Sequence, residues 1–337
     1  MKAIALIERP GHVCARYRFA AFAPALSDAG CSLTFAAIPR LALIRLRLFS
    51  KLRAFDTVLL QRRLLPANQV KYLRQNSRRL IFDFDDAVFC RDSYSPWGIA
   101  STKRQRRFRN IMSAADEVIA GNGFLKEHAV ASGAQAGSVH VIPTCVDPSK
   151  YPLANHHSKE VLNLVWVGSS STLQGIEQRR TLFEKLADRF PKMRLRLICD
   201  RFPHFERPPI VSIRWSEANE AAEIAVGDIG ISWVPDDLWS KGKCGLKILQ
   251  YYAAGLPVIA NSVGVHAEMI QSGITGLLAD TDEQWIDAIC ILSDAETRRR
   301  MGKAARKRVE QRYSVAAHRH RFVDIVTRSC SDASPGA

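Results

Sequence analysis

The chain has 337 residues, enough for two ordinary domains, and its 48 Lys and Arg against 33 Asp and Glu give a net charge of +15. No apolar run reaches the roughly 20 residues of a membrane-spanning helix, and the opening MKAIALIERPGHV is too short in its apolar part for a secretory leader. Eight cysteines (14, 31, 90, 145, 199, 244, 290 and 330) contain no C-x-x-C pair, which argues against zinc and against a disulfide framework and fits a reducing cytoplasm.

In chain order, Ala3 to Ile7 reads as a strand ending at a Pro-Gly turn, Ala15 to Ala29 as a helix stopping near Gly30, and Ser32 to Ala37 as a second strand. Strands follow at Thr57 to Gln61 and Arg79 to Phe84, with a helix at Asn68 to Gln75 between them, and then at Val118 to Ala120 and Val139 to Ile142. A polar segment, Pro148 to Lys159, interrupts the alternation. It restarts with a strand at Leu162 to Val167, a helix from about Gln174 to Arg189, and strands at Leu195 to Cys199, Val211 to Ile213, Ile229 to Trp233 and Val258 to Ala260. Helical text runs from Glu283 to about Cys330.

Strands alternating with helices predict parallel sheets covered on both faces. The expected architecture is α/β with two Rossmann-like, doubly wound domains, 1–150 and 151–310, whose sheets face an interdomain cleft where ligands of such folds bind. Residues 311–337 are expected to form a helix returning to the first domain, with a flexible tail.

The excess positive charge concentrates in Arg40 to Arg53 (RLALIRLRLFSKLR) and Lys103 to Arg109 (KRQRRFR). In the first, basic residues alternate with Leu, Ile and Phe. That pattern reads either as a solvated helix with one buried face or as a basic amphipathic helix on lipid head groups. A solvated helix face accounts for the second. Without zinc-finger spacing, an RNP-like strand or a long basic tail, a nucleic-acid partner is disfavoured.

Three stretches carry candidate chemistry. VWVGSSST (165–172) is a strand-to-helix turn in which Gly168, Ser169 and Ser170 could offer amides and hydroxyls to phosphate, or form an ordinary βα turn. GKCGLKILQYYAAGLPVIA (242–260) sets Lys243 and Lys247 four apart at a helix mouth, with Gly242, Gly245 and Leu246 beside them and Gln250 further along; two ammonium groups and a helix N-terminus would converge on a diphosphate. Gly255-Leu256-Pro257 ends that helix, and Glu268 follows the next strand as a donor contact or a helix cap. IFDFDDAVF puts Asp83, Asp85 and Asp86 at a strand end, where carboxylates could orient an acceptor hydroxyl, cap a helix or bind a metal. Gly11 and Arg16 lie in the first βα turn.

DDLWSKGKCGLKILQYYAAGLPVIANSVGVHAEMI, with GITGLLAD, EQWIDAI and RRRMGKAARKRVEQRYS, resembles the carboxyl-terminal domain of nucleotide-sugar glycosyltransferases of the GT-B fold, the bacterial retaining family four above all. AADEVIAGNGFLKEHA, VHVIPTCVD and LIFDFDDAVF extend the likeness over most of the chain. The resemblance implies transfer of a sugar, with retention and without metal or other cofactor, from a nucleoside-diphosphate sugar to a lipid-linked or cell-envelope acceptor at the cytoplasmic membrane face. In that family an acidic residue meets the donor sugar and a later glutamate the ribose. Those positions here are Gly242 and Gln250, so Asp236 or Asp237 is the expected substitute for the first. The family's basic pair in the turn at Gly168 is missing, and Lys243 and Lys247 are expected to supply its charge. A non-catalytic sugar-nucleotide binder and an epimerase or phosphorylase of the same fold are the alternatives.

Overall fold

Apolar runs of five or six residues between turn signals become strands buried on both faces: Thr57–Gln61 and Arg79–Phe84 have no exposed residue. The computed structural model describes residues 1–158 and 160–328. The first part of the chain forms β1 (Lys2–Ile7), α1 (Val13–Arg18), α2 (Ala23–Asp28), β2 (Ser32–Ala37), α3 (Ala42–Ser50), β3 (Thr57–Gln61), α4 (Ala67–Gln75), β4 (Arg79–Phe84), α5 (Thr102–Met112), β5 (Glu117–Ala120), α6 (Gly123–Ala131) and β6 (Val139–Val141). Next come β7 (Leu162–Val167), α7 (Ser170–Glu177), α8 (Arg180–Arg189), β8 (Met193–Cys199), β9 (Ile210–Arg214), α9 (Glu220–Ala225) and β10 (Ile229–Ser232). The remainder is α10 (Leu238–Lys241), α11 (Leu246–Ala253), β11 (Val258–Ala260), α12 (Val265–Met269), β12 (Gly276–Leu278), α13 (Asp282–Ser293), α14 (Ala295–Arg312) and α15 (Val315–Thr327).

Two units result. One comprises Met1–Cys145, the short piece Asp237–Cys244 and the chain from Val315; the other comprises Val146–Asp236 and Gly245–Ser314. The chain passes into the second unit at Val146, ahead of the polar segment. Each unit holds one six-stranded parallel sheet, ordered β2-β1-β3-β4-β5-β6 in the first and β12-β11-β10-β7-β8-β9 in the second. The strand order reverses between β1 and β3 in one sheet and between β7 and β10 in the other. Those switch points are where doubly wound sheets open toward ligands at their carboxyl ends.

Strand alternation sorts the first core into two layers. Ala3, Ala5 and Ile7 of β1 meet Phe19, Phe22 and the α15 residues Phe322, Ile325 and Val326, whereas Ile4 and Leu6 join Phe49, Val70 and Phe108 on the other side, under α3, α4 and α5. The carbonyls at the end of α15 are capped by basic and hydroxyl groups of the sheet: Arg79 Nη1 donates to Ile325 O at 2.5 Å and Thr57 Oγ1 to Val326 O at 3.0 Å.

Several elements differ from the sequence-based expectation. The run Ala15 to Ala29 is not one helix but α1, a 3₁₀ turn at Ala20–Phe22, and α2. Pro24 lies in the first turn of α2, where it lacks an N–H and its ring excludes the carbonyl four residues back, so a helix can begin there but not pass through. The helix expected to Arg189 starts earlier, at Ser170, and is interrupted at Arg179, whose φ of −100° and ψ of 18° leave the helical region. Strand β12, only Gly-Leu-Leu and without a β-branched residue, is absent from the expected elements. It pairs with β11 so closely that a Cβ on Gly276 would lie 2.2 Å from Val258 O. The carboxyl-terminal helical text is three helices, restarted by a Thr281–Gln284 capping box and an Asp294 N-cap. The expected end near Cys330 and the tail lie outside the described residues.

Phe322 is 1% exposed and stacks on Phe22 with ring centroids 4.4 Å apart. Phe322→Ala is therefore expected to destabilise the first unit by about 3–5 kcal/mol, read as a lowered urea midpoint.

Candidate active site

In the first unit the polar groups gather at the carboxyl ends of β1, β3 and β4. Asp83, the last inward carboxylate of β4, has no exposed surface; Arg18 of α1 grips it with Nη2 at 2.5 Å and Nε at 3.1 Å, and Nη1 of the same arginine donates to Ile142 O at 2.6 Å. Burial pushes the Asp83 carboxyl up and Arg18 pulls against it. Asp83 thus braces α1 to the sheet and presents no atom to a ligand, in contrast to the acceptor contact its motif suggests.

Asp85 and Asp86 lie one turn further on. Arg62 forks over both, with Nη1 3.1 Å from Asp85 Oδ1 and Nη2 2.5 Å from Asp86 Oδ2, and Nη1 also reaches Cys14 Sγ at 2.6 Å. Burial would raise the Asp85 carboxyl, but Arg62 and then Arg18 outweigh it, so Asp85 is held below the usual carboxylate range. The Cys14 thiol is pushed up by burial and by Asp85. Arg62 has φ 55° and sits at the centre of a three-residue turn in which Arg63 N donates to Gln61 O, beside the switch point. Among the described residues it is the one non-glycine with positive φ, a conformation that costs about 1–3 kcal/mol and clusters at functional sites.

The piece Asp237–Cys244 reaches these carboxylates by close backbone contact. A Cβ on Gly242 would lie 2.6 Å from Ala87 N, and one on Gly121 would lie 2.3 Å from Cys244 Sγ. The Asn122 amide caps α6 through its oxygen and donates to Lys243 O at 3.0 Å. Lys243 then stands 4.0 Å from Asp86 Oδ1 and 5.3 Å from the Trp239 ring centre. Asp237 is an N-cap, accepting from Ser240 N at 2.8 Å. A side chain at position 242, where the resemblance leads one to expect an acidic residue, would press on Ala87.

The pair Lys243 and Lys247 therefore does not share a helix face. Gly245, with φ 63°, is the N-cap of α11, so the helix begins after Lys243, and the two lysines belong to different units. The left-handed φ at Gly245 strains any other residue there, and a Cβ would also press on Met269 Sδ at 2.5 Å. Lys247 lies in the first turn of α11, its ammonium 4.9 Å from the centre of the buried Trp166 ring, and Leu246 beside it is half-buried. Gln250, expected at the ribose, is 3% exposed and its amide reaches Tyr151 OH at 3.4 Å, because the face of α11 that bears it packs inward.

Elsewhere in the second unit the turn after β7 carries an internal anion. Asp200 at the end of β8 accepts from Ser170 N at 2.6 Å and Ser170 Oγ at 2.9 Å, while Ser169 Oγ and Ser171 Oγ are 2.8 Å apart. A Cβ on Gly168 would strike the Trp166 ring at 2.6 Å. The turn after β11 repeats the arrangement: Ser262 N and Oγ donate to Asp280 at 2.8 and 2.5 Å. Glu268 is exposed in the first turn of α12, and Arg308 Nη2 binds its backbone carbonyl at 2.8 Å. In the first unit Gly11, at φ 70°, makes the turn after β1, and Arg16 donates to Tyr17 OH at 3.0 Å. Among the described residues no group of three or more His, Cys, Asp or Glu is arranged to hold a metal ion.

Arg18, Arg62, Asn122, Asp200 and Trp166 are absent from the sequence-based site. An acidic residue directly after the strand ending at Cys199 was a readable signal for Asp200; nothing in QRRLLP announces a left-handed arginine.

Two outcomes follow from these contacts. Gly242→Asp is expected to cost about 1–3 kcal/mol by overpacking against Ala87, seen as a lowered melting temperature. Arg62→Gln leaves Asp85 and Asp86 without their guanidinium and is expected to cost about 3 kcal/mol at pH 7. Because the folded-state pKa of Asp85 is depressed, the wild-type contribution is present above the unfolded value of about 4 and is lost as pH falls through the folded value. The gap between variant and wild type should therefore narrow below about pH 4 in pH-resolved urea denaturation.

Residues 178–324 match the model of a glycosyl transferase-like family. No curated protein matches the chain. Among solved structures, HepE of Anabaena in complex with UDP-glucose aligns with a TM-score of 0.70 at 14% identity, over 96% of this chain and 98% of that one. Sucrose-phosphate synthase of Thermosynechococcus elongatus aligns at 0.72 and 18% identity, over 96% and 97%. The lipopolysaccharide outer core galactosyltransferase WaaB, in its apo form, aligns at 0.67 and 13% identity, over 97% and 99%. The chain thus has the GT-B fold over nearly its whole length and, from 178 to 324, the sequence character of the glycosyl transferase-like family, and it resembles the GT-B glycosyltransferases that its motifs suggest.

Proposed function

We propose that the protein is a retaining, metal-independent glycosyltransferase that moves a sugar from a nucleoside-diphosphate sugar to a hydroxyl of a lipid-linked or cell-envelope glycan. The observation that carries this reading is the start of α11: a left-handed Gly245 that frees the helix N-terminus, followed at once by Lys247, inside the family-matched stretch. Helix amides and an ammonium group are suited to the charge that grows on a departing nucleoside diphosphate. HepE was solved with UDP-glucose and WaaB is a lipopolysaccharide outer core galactosyltransferase, which makes uridine the first nucleoside and an envelope glycan the first acceptor to try.

In this reading the donor belongs to the second unit, through Lys247, Gly245, Leu246 and Glu268, whereas the Gly168–Ser170 turn, whose Ser170 amide and hydroxyl already bind Asp200, is left out of it. The acceptor belongs to the first, through Asp85 and Asp86, with Lys243 beside them; the ionised Asp85 accepts the hydrogen bond of the attacking hydroxyl. Retention follows when the leaving phosphate takes the acceptor proton on the same face of the sugar. A non-catalytic sugar-nucleotide binder is the second reading, favoured by one contact: Ala87 leaves no room for a sugar-binding side chain at Gly242.

Thermal melts with UDP, GDP, ADP, CDP and TDP, with magnesium and with EDTA, test the assignment. At a hundred times its dissociation constant the cognate nucleotide should add about 2.7 kcal/mol of stability without metal, and Lys247→Ala should lose that gain while melting alone like the wild type. A gain that needs magnesium overturns metal independence. No gain from any nucleotide overturns the donor site, and binding without sugar release from UDP-glucose in the presence of envelope glycans favours the non-catalytic reading.

A further inference from the structure

Helices α3, α4 and α5 cover one side of the first sheet, α3 packed on α4 and α4 on α5. Together they carry nine Lys or Arg and no Asp or Glu. Their buried sides are ordinary: Phe49, Val70 and Phe108 enter the core, and Arg45 is tied to Gln69 at 2.8 Å. Their outer sides are not. Arg47, Lys51, Lys71, Lys103, Arg106 and Arg109 are exposed, and among the described residues none of them is in an ion pair. The groove between α4 and α5, of about 540 Å³, has Lys71, Arg74 and Arg109 along its walls.

Beside this field stand three large apolar side chains in water. Leu41 is 66% exposed, Leu43 77% and Ile44 49%, at the start of α3. Leu43 and Ile44 lie four and three residues before Arg47, so apolar tips and a cation share one stripe of the helix. Scattered exposed apolar side chains need no explanation, but two leucines and an isoleucine within four positions next to unopposed cations do.

We infer that the outer face of α3, α4 and α5 is a docking surface for an anionic phospholipid bilayer, with Leu41, Leu43 and Ile44 inserted at the head-group boundary and the basic field over the phosphates. Both halves of the face match that partner: cations meet anionic head groups, and the leucines leave water for acyl chain. A polyanion in solution, such as a nucleic acid, would use the cations and leave the leucines in water. The surface is independent of what the two units transfer, so its failure and the failure of the glycosyltransferase reading are separate results.

The test is flotation of the full chain with vesicles of phosphatidylcholine alone or mixed in equal parts with phosphatidylglycerol, at low and high salt. The wild type should float with the anionic vesicles and not with the neutral ones. Lys103→Gln/Arg106→Gln/Arg109→Gln should weaken partitioning roughly a hundredfold. Leu43→Ser/Ile44→Ser should weaken it at both salt concentrations. All substituted side chains are exposed, and an unchanged melting temperature verifies that each variant is folded. Wild type that stays unbound with anionic vesicles overturns the inference, as does serine variant binding equal to wild type alongside tight capture of single-stranded oligonucleotide.

Discussion

The close approach of Asp237–Cys244 to the ends of β4 and β5 governs the arrangement of the first unit's site. It depends on two missing side chains, at Gly121 and Gly242, because a Cβ at either would lie 2.3–2.6 Å from Cys244 Sγ or Ala87 N. With those contacts made, Asn122 can bind the Lys243 carbonyl and the Lys243 ammonium comes beside Asp86. The same glycine that admits the contact stands where the sequence resemblance leads one to expect an acidic side chain. A departure that looks like loss of a binding group in one dimension is, in three, a packing requirement.

Charge in that site is balanced within a few ångströms. Arg18 neutralises Asp83 in full burial, where an unpaired carboxylate would take up a proton, and Arg62 holds Asp85 and Asp86 together. The backbone strain at Arg62 is tolerated because its amide donates to Asp83 O at 2.8 Å while its side chain is anchored at both ends of the fork. Of the three aspartates of one motif, one is structural and two remain at the strand end. The second unit meets the turns after β7 and β11 in a different way, with Asp200 and Asp280 each accepting from a serine amide and hydroxyl. At Ser170, the first residue of α7, the internal carboxylate satisfies an amide that would otherwise be left open at the start of a helix.

The basic character of the chain is likewise spatially organised. Much of the excess over acidic residues falls on three neighbouring helices of one unit, whose inner faces are conventional core. Segregation of that kind gives a folded unit one face with a strong positive potential, and the exposed leucines give the same face an apolar edge. No described helix is long and apolar enough to cross a membrane.

Local pattern determined most of the architecture. Apolar runs such as TVLLQ and LNLVWV are buried strands, alternation with helices gives parallel sheets, and Gly255-Leu256-Pro257 ends α11, because these depend on periodicity and on dihedral preferences that each residue carries with it. Breaks caused by position within a turn, such as Pro24, were less visible, and β12, Gly-Leu-Leu without a β-branched residue, carried no strand signal. What only the tertiary structure decided is which polar residues meet. That Lys243 and Lys247 part at a left-handed glycine, that Gln250 turns inward to Tyr151, that Arg18 spans 65 residues to Asp83, and that Arg62 forks over two aspartates all depend on contacts between segments far apart in sequence. Periodicity reports the face a residue occupies; the group that waits on the other side of that face is set by how the layers pack.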